Sequence, residues 1–96
     1  MHFVALCTDK KDAIQTRLDT RPLHVEWLKA NAGAIKVAGP FLDEAEKMVG
    51  SMLIVDCADL PAAQSLLASD PYAGAGLFES VDVRPWRWVI GEPKAS

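Results

Sequence analysis

Cysteine is scarce in this chain. Cys7 and Cys57 are its only two, 50 positions apart, and neither has a C-x-x-C partner. That spacing gives no disulfide framework and no thiolate metal knot. Two buried free thiols in a reducing cytoplasm are expected, and a single disulfide between them is the alternative. Basic charge is also sparse. The arginines and lysines are scattered, and the formal net charge is −3, which argues against nucleic acid and against an anionic membrane surface as partners. No apolar run approaches the ~20 residues that a spanning helix needs. The opening MHFVALCTDKKD is too short and too soon acidic for a signal peptide, and reads as a first strand. His2, His24, two distant cysteines and scattered acids offer no metal-ligand spacing. GAG at 74–76 is too short to count as a phosphate loop.

What is present is enough for one folded domain. The chain has 96 residues, and 50% of them are hydrophobic. The domain is expected over residues 1–90, with a flexible tail over 91–96. HFVALC reads as a strand, mostly apolar on both faces. DKKDAIQTRLDTR reads as a short helix or an ordered loop. Thr20 is placed to cap the helix that follows, with Arg21 and Pro22 in its first turn and Gly33 past its end. AIKVAGP reads as a strand stopped by Gly39 and Pro40. FLDEAEK reads as an acidic hairpin-like connection, and VGSMLIVDC as a strand. Asp59 caps a second helix, which ends at Asp70 because a residue before proline avoids helical geometry. FESVDVRPWRWVI reads as a long last strand whose Pro85 fits an edge or a bulge.

The order β-α-β-β-α-β predicts an α+β fold, the ferredoxin-like split βαβ sandwich, with an antiparallel sheet in the order 4-1-3-2 and both helices on one face. Half-buried strands should alternate, yet FVALC, MLIV and WRWVI are apolar on both faces. A second copy of the chain is the expected cover for the other face. Sheet-to-sheet pairing of that kind gives a dimeric α+β barrel.

This topology gathers four places at one rim: the start of helix 1, the end of strand 2, the start of strand 3 and the end of helix 2. They hold Arg21 and His24, then Gly39 and Pro40, then Ser51, then Asp70 and Tyr72. A carboxylate on one imidazole nitrogen fixes the tautomer, raises the ring's basicity and leaves the other nitrogen free to move a proton. His24 and Asp70 are therefore the candidate catalytic pair. Plainer readings stand beside this one. His24 could be a packed helix residue, and Asp70 could form an Asx turn with the backbone of Tyr72. Gly39-Pro40 could be strand punctuation, Ser51 a small strand residue, Tyr72 core and Arg21 solvated. Trp86 and Trp88 read as core or dimer interface. A triad of Ser51, His24 and Asp70 lacks a nucleophile elbow.

Through RLDTRPLHVEWL, KVAGPF, GSMLIVD and LLASDPYAGAGLFESVDVRPW the chain resembles the YciI-like (YCII-related) domain family, from Met1 to about Ile90. The resemblance rests on R-P-x-H, A-G-P, G-S and D-P-Y in that order and spacing. It implies a ferredoxin-like fold, a dimeric α+β barrel and an active site centred on a His-Asp pair, here His24 and Asp70. Arg21, Gly39, Pro40, Ser51 and Tyr72 would line the same pocket and hold the substrate. The short DEAEK connection would leave that pocket open. One relative is similar to a dehydrochlorinase of a chlorinated hydroxyquinol, and the muconolactone isomerases share the barrel. Both imply acid–base elimination or isomerisation on small oxygenated ring compounds, without cofactor or metal. The alternatives are a non-catalytic small-ligand or interaction dimer and a barrel monooxygenase, the latter with His24 as a haem ligand.

Overall fold

A computed structural model of the protein describes residues 1–93. The elements follow in the order β1 (His2–Asp9), α1 (Ile14–Ala30), β2 (Ile35–Leu42), β3 (Met48–Asp56), α2 (Leu60–Ala68), α3 (Pro71–Gly74) and β4 (Phe78–Trp86). The sheet is antiparallel in the order β2-β3-β1-β4, which is the expected order read from its other edge. The fold is α+β and ferredoxin-like. Among the described residues no helix is long and apolar enough to cross a membrane.

Alternation along β1 sets the two faces. Phe3, Ala5 and Cys7 point under the helices and pack with Leu53 and Val55 of β3, Trp27 of α1, and Ala63 and Leu67 of α2. His2, Val4 and Leu6 point the other way and are only half-buried. Where β1 and β3 run together, Gly50 is required. A Cβ there would collide with the backbone oxygen of Cys7, closer than real contacts allow. Ser51, paired with Cys7, follows directly on that close approach.

The elements differ from the sequence expectation in four places. Helix α1 starts at Ile14, not after Thr20, so the DKKDAIQTRLDTR segment is largely helix and Pro22 lies inside it. The start has no side-chain cap. It is held instead by Arg17, whose buried side chain bonds to Asp9 of β1. A tertiary anchor has overridden the local Thr-x-Pro signal. Strand β2 does not stop at Gly39-Pro40 but runs on to Leu42. It is an edge strand, where a proline need not donate to a ladder. Pro85 is accommodated for the same reason on the other edge, β4. Strand β4 ends at Trp86, so Trp88 lies past it, with its ring 4.8 Å from that of Trp86 in an edge-to-face contact. Val89 and Ile90 are exposed. Finally, Asp70 does not close α2. Ser69 does, and Asp70 caps the short α3. Both cysteines are free. Cys7 is buried and Cys57 only partly so. The tail expected over 91–96 falls in part outside the described residues.

Candidate active site

A carboxylate at the end of a helix is electrostatically misplaced, but one at the start of the next is not. Asp70 sits at such a junction. Its Oδ1 accepts a hydrogen bond from the Tyr72 backbone N–H at 2.9 Å, which caps α3. The same oxygen lies 2.9 Å from His24 Nδ1. The Asx turn and the pairing with His24 are thus both realised by one atom. Asp70 is 1% exposed, and its Oδ2 has no hydrogen-bond partner among the described residues. The junction is clamped from α1 as well. Trp27 Nε1–H donates to Ser69 Oγ at 2.9 Å, and Ser69 Oγ donates to the Leu66 carbonyl. These bonds bring residues 46 positions apart into contact.

The Tyr72 ring stacks on His24, with centroids 4.0 Å apart and planes 17° from parallel. It is buried, and burial raises its phenol pKa although the nearby Arg17 opposes this. Arg17 is 2% exposed, and its guanidinium carbon lies 4.7 Å from the Tyr72 ring centroid. Its Nε and one terminal nitrogen donate to the two oxygens of Asp9 at 2.7 and 2.8 Å. The same terminal nitrogen donates to Ser51 Oγ at 2.9 Å. Burial works against the Arg17 charge, but the Asp9 carboxylate outweighs it, and the pKa rises above its ordinary value.

These groups face a cleft of about 170 Å³ between α1 and the β2–β3 edge of the sheet. Arg17, Arg21, His24, Ser51 and Tyr72 supply its polar wall, and Val25, Leu28, Ala38 and Leu53 an apolar one. Gly39 and Pro40 border it from β2. The structure thus brings His24, Arg21, Gly39, Pro40, Ser51 and Tyr72 around one space, with Asp70 behind the imidazole. Ser51 is held by Arg17 rather than by His24, so the geometry is not that of a Ser-His-Asp triad. Among the described residues no cluster of three or more His, Cys, Asp or Glu is placed to hold a metal ion.

The family model of the YCII-related domain matches residues 1–87. The chain belongs to the YCII-related family. Protein YciI of Escherichia coli O6:H1 is 35% identical to it over 98 residues, covering 94% of this chain and all of that one. Among solved structures, the chain is similar to the 5-chloro-2-hydroxyhydroquinone dehydrochlorinase TftG of Burkholderia phenoliruptrix AC1100, in complex with 2,5-dihydroxybenzoquinone. The TM-score is 0.82 and the identity 29%, with 91% of this chain and 94% of that chain covered. SnoaB of Streptomyces nogalater, a cofactor-independent oxygenase, matches at a TM-score of 0.55 and 12% identity over 95% of this chain and 96% of its own. That likeness concerns the fold alone.

Sequence reasoning on this YCII-related chain missed Arg17 and Asp9. A signal for Arg17 was available. It lies four positions before Arg21 and seven before His24, so all three share one face of a continuous helix. The false start at Thr20 hid it. Asp9, at the end of β1, had no such periodicity to reveal it.

Proposed function

We propose that this protein is a cofactor-independent enzyme that uses His24 and Asp70 for acid–base elimination or isomerisation on a small oxygenated ring compound. The observation that carries the reading is the 2.9 Å contact between His24 Nδ1 and a buried Asp70 carboxylate at the wall of a small cleft. Asp70 Oδ1 acts there as an acceptor, so the imidazole keeps its hydrogen on Nδ1, and Nε2 is left as the base. When Nε2 takes a proton, the carboxylate behind the ring stabilises the imidazolium. Arg21 and Ser51 would hold the oxygens of the ring compound, and Val25 and Leu28 its apolar face. In a dehydrochlorination the imidazole first moves a phenolic proton to the ring carbon that bears chlorine; removal of a second phenolic proton then sends its electron pair into the ring, and chloride departs from that carbon with the C–Cl bonding pair. The likeness to TftG, at 29% identity over most of both chains, supports this substrate class. We also propose that two chains pair through the sheet face that the helices leave open.

The test is chloride release from 5-chloro-2-hydroxyhydroquinone. The wild-type protein is expected to catalyse it. His24→Ala should lower the rate by roughly 10²–10⁴, the usual worth of positioned proton transfer. Asp70→Asn should lower it too, with its amide oxygen still able to cap α3. A rate equal in wild type and His24→Ala would overturn the reading in favour of a non-catalytic binding protein.

A further inference from the structure

The Arg17–Ser51 contact lies outside the acid–base pair and beneath the same cleft. An arginine has only donors, so in the 2.9 Å contact Ser51 Oγ must accept. A hydroxyl that accepts there still has its own hydrogen to give. No acceptor for that hydrogen is found among the described residues, although Ser51 is 3% exposed and lines the cleft. Arg17 cannot rotate away. Asp9 grips it through two nitrogens, and the Tyr72 ring lies 4.7 Å from its guanidinium carbon. The Asp9 pair is buried on both sides, so a solvated surface ion pair is not the explanation.

We infer that Arg17 is a positioning residue that fixes Ser51 as a hydrogen-bond donor to the cleft, and that the cleft thereby selects ligands bearing an oxyanion at that point. This rests on reading the cleft as the substrate site, and it adds what the bound end of the substrate must be. A neutral serine could turn either lone pair or hydrogen toward a ligand. One held by a buried guanidinium has one lone pair engaged, and the adjacent charge makes its hydrogen a stronger donor and its remaining lone pair a poorer acceptor. Ligands that present a donor in the same place leave that hydrogen facing another hydrogen, which a desolvated site penalises. The selected class is therefore small acidic phenols and enols in their ionised form.

Pentafluorophenol and pentafluoroaniline test this. They are nearly the same size and have no other strong hydrogen-bond group. At pH 7.5 the first presents an oxyanion and the second an amine donor. Dissociation constants from fluorine NMR titration should favour the phenolate by tenfold or more in the wild-type protein. Ser51→Ala leaves the Asp9–Arg17 pair in place, and should cut that preference about tenfold by weakening the phenolate alone. The double variant Asp9→Asn/Arg17→Gln removes both buried charges together and should do the same. Should it not fold, Arg17→Lys retains a charge for Asp9 but cannot hold both partners in this geometry, and should lower the preference severalfold. No preference in the wild-type protein, or an unchanged preference in Ser51→Ala, overturns the inference. So does a drop confined to Ser51→Ala with every folded Arg17 variant unaffected. A failed preference beside intact His24-dependent chloride release refutes this inference alone. An intact preference without His24-dependent release supports it and refutes the acid–base reading alone.

Discussion

Cys7 lies under the site, on the helix-facing side of β1, and shows how the local environment governs single residues. Burial pushes its thiol pKa up to about 12 from 9.0, and the nearby Asp70 carboxylate adds to the rise. The thiol is thus inert packing rather than a nucleophile. In the unfolded chain it ionises near 9.0, so between that pH and about 12 the folded chain holds a proton that the unfolded chain has lost. Stability contributed by the neutral thiol is complete below pH 9 and is lost as pH rises through this window. Urea unfolding at pH 8 and pH 10.5 should show wild type losing about 2 kcal/mol more than Cys7→Ala. Equal losses would mean that the thiol is not held protonated. At this scale the sequence exposed His24 and Asp70 because each has a local signature, a histidine after R-P-x and an aspartate before P-Y. It concealed Asp9 because an aspartate at the end of a strand looks like an ordinary turn residue. Only the arrival of Arg17 from α1 makes Asp9 structural.

Elements were legible where periodicity was unopposed and misread where a proline interrupted it. Two boundaries were misplaced in this way, at Pro22 and Pro40, because a proline ends regular structure only where the loss of its N–H is neither harmless nor offset. Pro40 and Pro85 lie on edge strands, which run on through them. Pro22 lies inside α1, where its ring takes away the bond to the carbonyl of Leu18. The helix persists there because Arg17, His24 and Trp27 anchor it on both sides of the proline. Pro22 is exposed, so replacing it disturbs no packing. Pro22→Ala should therefore raise stability by about 1–3 kcal/mol in urea unfolding, the lost helix bond being regained. A lower stability in Pro22→Ala would show instead that its restriction of the unfolded chain outweighs that bond.

At the scale of the whole molecule, the open sheet face decides how a chain this small completes its core. The expectation of a second copy came from strands apolar on both faces, and the registers now show where such a face is continuous. Val4 pairs with Ile54 and Leu6 with Met52, while Val37 of β2 lies beside Ile54. This apolar strip crosses the middle of the sheet on the side away from the helices. On β4 the same rows end in Asp82 and Arg84, which pair with each other in solvent. In these two rows the last strand therefore contributes a polar rim, and of WRWVI only Trp86, paired with His2 on the same face, lies within the strand. An apolar centre with a charged margin is the pattern of a protein interface. A second copy of the same strip is the proposed cover, since sheet faces pack flat against each other about a two-fold axis. Wild-type protein should sediment as a pair of chains at micromolar concentration. Leu6→Lys puts a charge at the centre of the strip without touching the helix-side core or the cleft, and should sediment as a single chain. Arg84→Ala, at the rim, should remain paired, because an exposed ion pair adds little. Wild-type protein sedimenting as one chain, or Leu6→Lys still paired, would place the contact elsewhere and leave the doubled apolar character of β1 and β3 without this explanation.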